Sequence, residues 1–349
     1  MYLDEQIITY LGNKRKLLNL IVSATAPKDK VCLDLFSGSG IVARAFKQNG
    51  CKKIIANDLE EYSKIINTCY LTNITDFPQQ EYDYYYNIII NAPLIEGFIT
   101  KLYSPKNTND IKPGERCFYT HENAIILDSY LTIIHNQCPE NIKPFFLAPL
   151  LSEASIHANT SGVFKGFYKN TSGIGQWGGQ GKNALGRICG NIELKKPIFS
   201  TFNCDKEILQ LDATKIIEDI VCDVAYLDPP YNQHPYGSNY FMLNLIATYQ
   251  EPEKISNVSG IPTNWNRSNF NKKAAAKEAL KQSLEKIKAK EYVISYNNEG
   301  FISYDEMINI LGAYGEVGVI TEEYPTFRGC RNLNERAIHT QEYLFCVKT

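Results

Sequence analysis

The sequence holds no C-x-x-C pair: its ten cysteines are scattered from Cys32 to Cys346 with no histidine cluster near them. That spacing argues against a zinc site or a disulfide framework, and reduced thiols in a cytosol are the expectation. Long apolar runs are also missing. FFLAPLL and NIII fall far short of the ~20 residues that a membrane helix needs, so no membrane partner is expected. The first residues, MYLDEQIITYLGNKRK, lack the charged-then-apolar layout of a secretory leader. No internal repeat and no low-complexity tract breaks the chain. Nor is there much net charge, at −2. With 44% hydrophobic and 21% charged residues the composition excludes a disordered chain. A length of 349 residues points to about two domains. The expectation is a cytoplasmic globular protein with no metal.

Charge is present locally, however. From Asn159 to Ser200, Lys165, Lys169, Lys182, Arg187, Lys195 and Lys196 face Glu193 alone, a balance of +5. From Trp265 to Lys290, eight basic residues face two acids. Patches of this kind on a near-neutral chain suit a nucleic acid bound on one face. The second patch has a plainer reading, because AAAKEALKQSLEKIKAKE is an amphipathic helix whose lysines form a wet face.

Residues 31–36 (VCLDLF) read as a strand, SGSG as a glycine-rich turn, and IVARAFKQNG as a helix ending at Gly50. KKIIAND is a second strand, which makes a βαβ unit and hence a parallel, Rossmann-like sheet. EYDYYYN and the stretch from Ile88 to about Ile111 show no clean period, and a helix follows at HENAIILDSYLTIIHNQC. Between Thr160 and Gly190 the chain is dense in glycine and carries Phe164, Phe167, Tyr168 and Trp177, which makes poor core and good binding loop. Strand patterns resume at EILQLDAT, VCDVAYLD, EYVISYN, GEVGVITEEY and EYLFCVKT. The expected layout is an α/β catalytic domain over 1–85 and 201–349, split by an inserted target-recognition region over 86–200.

YLDPPYN closes the fourth of these strands. Two prolines stop a strand abruptly, and the residue before a proline is pushed into extended geometry, so Asp228 is pinned with an aromatic ring three positions on. Earlier, FSGSG lies between a strand and a helix, where glycines let the backbone approach a ligand. The dinucleotide pattern G-x-G-x-x-G is not met: after Gly38 and Gly40 the third position is Ala43. Asp58, at the end of the next strand, suits the hydroxyls of a ribose. Each of these alone has a bland alternative, a strand-ending turn for DPPY and any nucleoside cofactor for the glycine loop.

Together, LDLFSGSG, IIANDL and YLDPPY, in that order, resemble the signature of the Dam-like (alpha group) S-adenosylmethionine-dependent DNA adenine methylases. Tyr10-Leu11-Gly12-Asn13-Lys14 is similar to that family's aromatic-x-Gly-x-Lys motif ahead of the glycine loop. SGVFKGFYKN and YPTFRGCRNLNER look like its FokI-type branch. The resemblance covers essentially the whole chain. It implies a Rossmann-like methyltransferase sheet with an inserted DNA-recognition domain, S-adenosylmethionine as cofactor and double-stranded DNA as substrate. It also implies a role in a restriction-modification system, with a cognate restriction endonuclease as counterpart, whether or not the two touch.

The same resemblance assigns roles. Asp228 and the carbonyl of Pro229 would accept the two N–H bonds of a base's exocyclic amine, freeing its lone pair and stabilising the charge that develops on nitrogen. Pro229 and Pro230 hold those acceptors rigid, and Tyr231 offers a face for the base. Tyr10, Asn13 and Lys14 would lie near the cofactor. Asp34, Phe36, Ser37, Gly38 and Gly40 would surround its methionine part, Asp58 its ribose and Asp212 its adenine; Asp34 has an alternative as a turn-pinning acid. The target base must be flipped out of the duplex. Lys165, Lys169, Arg187, Arg328 and Arg331 are the candidate DNA contacts, each with a plain surface charge as the alternative. Cytosine N4 or RNA remains open as the acceptor, and a nicotinamide-dependent oxidoreductase is the competing class.

Overall fold

The computed structural model describes residues 2–182, 184–216, 218–325 and 339–349. Chain order begins α1 (Leu18–Thr25), β1 (Val31–Asp34), α2 (Ile41–Gln48), β2 (Lys53–Asn57), α3 (Glu61–Tyr70), α4 (Gln79–Ile90), α5 (Phe98–Tyr103), α6 (His121–Gln137) and α7 (Lys143–Ile156). It continues α8 (Leu185–Ile188), β3 (Asp205–Leu209), β4 (Ile220–Leu227), α9 (Tyr236–Asn239), α10 (Phe241–Thr248) and α11 (Ala276–Glu285). Last come β5 (Ile287–Asn297), α12 (Tyr304–Leu311), β6 (Glu316–Pro325) and β7 (His339–Lys348). Two compact units divide these elements. One comprises Met1–Gly12, Glu60–Phe199 and Tyr236–Asn266, and the other Asn13–Leu59, Ser200–Pro235 and Arg267–Thr349.

The second unit holds the sheet, in the order β3-β2-β1-β4-β5-β7-β6. Neighbours from β3 to β5 pair in parallel, and β7 runs antiparallel to both β5 and β6. Cys32, Leu33, Val224 and Ala225 are fully buried, which is why β1 and β4 read as near-continuous apolar runs rather than alternating ones. The chain runs from β1 outward through β2 to β3, and from β4 outward through β5 the other way. The strand order therefore reverses between β1 and β4, and their carboxyl ends open the crevice where α/β sheets bind ligands. The α/β class and the Rossmann-like sheet expected from the sequence are what the chain adopts.

One expected helix is shorter than its pattern. AAAKEALKQSLEKIKAKE stops being helical at Glu285, and Ile287 begins β5 in register with Ile220 of β4. The alternation Ile287-Lys288-Ala289-Lys290 has a period of two, and pairing along β4 wins over helix propensity there. Three lysines of this basic stretch are spent on acids: Lys277 on Glu306, Lys288 on Asp219 and Lys290 on Asp223.

The first unit is helical, packed around fully buried Tyr82, Phe146, Leu127 and Tyr240. EYDYYYN, which shows no clean period in the sequence, lies within α4. Tyr82 and Ile89 are buried and Tyr86 packs on the same core, an i, i+4, i+7 face written in aromatics. Tyr82 stacks on Phe146 of α7 at 4.5 Å. Asp128 of α6 accepts from the backbone of Gly97, Ile99 and Thr100 and from the Tyr249 hydroxyl, tying down the start of α5. Among the described residues, no helix is long and apolar enough to cross a membrane.

Candidate active site

In the sheet unit, β1 ends on Asp34 and hands over to the glycine turn. Gly38 and Gly40 take φ of 50° and 73°, the left-handed region that favours glycine. Asn57, at the end of β2, clamps this region: its Nδ2 donates to the carbonyls of Leu35 and Leu211, and its Oδ1 accepts from Leu211 N–H. The Ser37 N–H and hydroxyl both donate to Asn57 O, and Gly38 N–H donates to Asp58 Oδ2 at 2.7 Å. Phe36 packs edge-on against Phe270 at 5.1 Å.

Asp34 is buried, at 1% exposure. Its Oδ2 accepts from Ala43 N–H at the start of α2, while Oδ1 has no hydrogen-bond partner among the described residues. Burial first, then Asp228 nearby, pushes its carboxyl well above the usual range, with the Ala43 N–H pulling the other way. An orphaned buried acceptor is costly, and it calls for a donor or a cation from outside the chain.

Asp228 follows β4 directly. Its Oδ2 lies 2.9 Å from Lys14 Nζ, with side chains 20% and 5% exposed. Burial pulls the Lys14 ammonium down, but Asp228, Glu342 and Tyr231 outweigh it and hold the group above its usual value. Burial lifts Asp228 and Lys14 pulls it back. The ammonium in contact keeps the pair ionised. Pro229 is buried, Tyr231 O accepts from Phe301 N–H at 3.0 Å, and Asn232 O accepts from Asn271 at 2.8 Å, so the loop after Asp228 is held on both sides. The Tyr231 ring meets Tyr296 edge-on at 6.2 Å.

Two residues join this cluster that the sequence reading did not single out. Glu342 of β7 sits opposite Asn297 of β5 in the register, and they are 7% and 5% exposed. Burial, with Asp228, pushes the Glu342 carboxyl above its usual range, while Lys14 and Asn297 oppose. The available signal was a glutamate on the face of EYLFCVKT that Leu344 shares.

The remaining candidates lie elsewhere. Asn13 stays with the sheet unit and accepts from Arg15 N–H. Asp212 caps the short turn that follows it, Oδ1 accepting from the Thr214 N–H and hydroxyl, with Lys215 3.7 Å from Oδ2. Tyr10 belongs to the helical unit, stacked on Tyr236 and Tyr240 at 5.0 and 4.9 Å. Lys165 and Lys169 are exposed in that unit, Lys169 over the Phe167 ring at 4.9 Å. Arg187 is also exposed there, yet its guanidinium donates to the carbonyls of Ile156 and Ala158, where α7 ends. It lines a pocket of about 320 Å³ with Thr9, Ser155, Thr160, Ser161, Phe164 and Tyr168. Arg328 and Arg331 lie outside the described residues.

Residues 10–310 match the family described as D12 class N6 adenine-specific DNA methyltransferase. The chain is 30% identical to the Type II methyltransferase M.NlaIII of Neisseria lactamica, over 98% of this chain and 99% of that protein. It is equally 30% identical to M.CviAII of Paramecium bursaria Chlorella virus 1, over 97% and 98%. M.FokI of Planomicrobium okeanokoites is 27% identical over 97% of this chain and 52% of its own length.

Proposed function

The chain belongs to the D12 class N6 adenine-specific DNA methyltransferase family, and we propose that Asp228, steadied by Lys14, is the group on which its transfer chemistry turns. It is a DNA methyltransferase with S-adenosylmethionine as methyl donor and DNA as substrate. When bound, that cofactor supplies an electrophilic methyl group on a positively charged sulfonium, and sulfur keeps the bond's electron pair as the methyl leaves. The donor set suits it: Asp34 offers an unmet acceptor for a cationic or N–H group, and Asp58 offers a carboxylate to ribose hydroxyls.

The N6 amine of adenine is a weak nucleophile because its lone pair is drawn into the ring. In the proposed mechanism the Asp228 carboxylate and the Pro229 carbonyl each accept one N6–H bond, which releases the lone pair toward the methyl carbon. As the N–C bond forms, positive charge passes to N6, and Asp228 opposes it in a water-poor site. N6 then returns to neutrality by giving up one proton through Asp228 to solvent. Tyr231 gives the flipped base a face to lie on, and Lys165 and Lys169 in the inserted segment contribute contacts to the DNA backbone. The "Type II methyltransferase" names of the relatives support a modification enzyme of a restriction-modification system, working in the cytoplasm beside a cognate endonuclease.

The observation that carries this reading is the buried Lys14–Asp228 pair at the end of β4, beside Asp34 and the glycine turn. Incubating the protein with methyl-labelled S-adenosylmethionine and DNA, RNA or neither, then identifying the labelled nucleoside, tests it. Label in N6-methyladenine from DNA, lost in Asp228→Ala while cofactor affinity stays within a few-fold, is the expected result. Label in another nucleoside, or near-full activity in the variant, refutes it.

A further inference from the structure

We propose that Asn57 is a positioning residue for S-adenosylmethionine: its side-chain amide sets the spacing between the glycine turn, which takes the methionine half, and the Leu211–Asp212 turn, which takes the adenosine half. The inference rests on the cofactor contacts read above for Asp34 and Asp58, and on Asp212 as the acceptor for adenine.

Backbone pairing ends where the cofactor must be held. The last rung between β1 and β2 is Asp34 with Ala56, and the last between β2 and β3 is Asn57 with Leu209. Beyond those rungs the chain turns into Leu35–Gly38 on one side and Gln210–Asp212 on the other, all within the sheet unit. Asn57 continues the ladder with its side chain. Its Nδ2 donates to Leu35 O and Leu211 O at 3.1 Å each, and its Oδ1 accepts from Leu211 N–H at 3.0 Å. Its own carbonyl takes the Ser37 N–H at 2.9 Å and the Ser37 hydroxyl at 3.1 Å.

A side-chain amide carries the donor and acceptor pair of a peptide group, which is why it can stand in for a rung. An aspartate there would set an oxygen against two carbonyls. Asn57 is 1% exposed, so water does not compete for these bonds. Asp58 is the next residue in the chain and accepts from Gly38 N–H at 2.7 Å, so the ribose acid is carried by the same anchor.

The cofactor is two binding groups joined through a sulfonium. Once one half is seated, the other binds at an effective concentration set by how well the two subsites match the linker. A spacing error leaves each half its own contacts and removes that advantage. It also moves the methyl carbon off line with the entering amine, where about 1 Å costs on the order of 10²-fold in rate.

Two ligands separate spacing from folding: 5′-methylthioadenosine carries the adenosine half alone, and S-adenosylhomocysteine adds the amino-acid half. In calorimetry the wild type should bind S-adenosylhomocysteine more tightly, and Asn57→Asp should shrink that ratio of affinities about tenfold. A merely structural role would weaken both ligands alike and leave the ratio unchanged, which would overturn the proposal. If the Asp variant does not fold, Asn57→Ser, whose small side chain leaves room for water at the Leu35 and Leu211 groups, should show the same reduced ratio. The wild type gives an independent arm through hydrogen exchange. At saturation S-adenosylhomocysteine should slow exchange of the Leu211 N–H further than 5′-methylthioadenosine does, because the ordered glycine turn is tied to Leu211 through Asn57. Equal protection by the two ligands overturns the proposal as well. A wild type that binds both equally tightly would instead fault the placement of the methionine half at the glycine turn.

Discussion

Lys14 Nζ stands 2.9 Å from Asp228 Oδ2, so the N-terminal motif and the DPPY turn meet in one buried ion pair. Lys14→Met should leave Asp228 buried without its counter-charge. Removing one partner of a buried pair costs about 3 kcal/mol, toward the low end here because Asp228 keeps some exposure. Burial already lifts the Asp228 carboxyl, and losing Lys14 lifts it further. A carboxyl raised in the fold contributes stability at low pH that is lost as pH rises through the raised value. The melting-temperature deficit of Lys14→Met should therefore widen from pH 5 to pH 8 in thermal scans. A deficit that shrinks with pH would contradict the pairing.

Asp34→Asn tests the orphaned acceptor. The Asp34 carboxyl is held well above its usual range, first by burial. Cationic groups of the cofactor favour the ionised form, so affinity should rise with pH through that range. Calorimetry from pH 5 to pH 8 should show this slope in the wild type and a flat line in the Asn variant.

Asp58→Ala should weaken S-adenosylmethionine binding by about 1–3 kcal/mol, the contribution of charge-assisted bonds to hydroxyls. The Gly38 N–H also loses its acceptor, so the melting temperature should drop slightly in parallel. Unchanged affinity would remove Asp58 from the cofactor site.

Tyr231→Phe keeps the ring and removes only the hydroxyl. It should retain most activity. Tyr231→Ala removes a stacking face that contributes about 1–3 kcal/mol per base, which should read mainly as slower transfer at saturating DNA. Equal rates for the two folded variants would exclude stacking.

Lys165 and Lys169, changed together to Glu, should raise the DNA dissociation constant and flatten its salt dependence by about 0.9 in log–log slope per lost phosphate contact. Arg187→Ala should behave differently. Its guanidinium caps the α7 carbonyls, so the loss should appear first as a lower melting temperature with the salt slope nearly intact.

Much of the sheet unit could be read in advance because its signals are local. Paired glycines, an acid closing each of two strands and a double proline state their own geometry within a few residues. Glu342 could not be read that way. Its environment is set by strand pairing with β5, which brings it to Asn297, and no pattern around residue 342 announces that register. The helical unit was opaque for another reason. A helix face built of Tyr82, Tyr86 and Ile89 in a run of tyrosines carries little hydropathy contrast, and nothing in Tyr236–Asn266 marks it as packing with Glu60–Phe199. In KIKAKE, helix propensity and β4 pairing disagreed, and only tertiary structure could decide.

β7 threads between β5 and β6, both of which precede it along the chain. During synthesis those two strands emerge with a gap that neither can fill for the other, so the sheet cannot zip shut from its earlier end. Of the seven strands of this sheet, the last in chain order is an interior one, and it carries Glu342. Timing follows from topology: the nascent chain can present Lys14, Asp34 and Asp228 early, but the cluster is complete only after residues 339–348 are made.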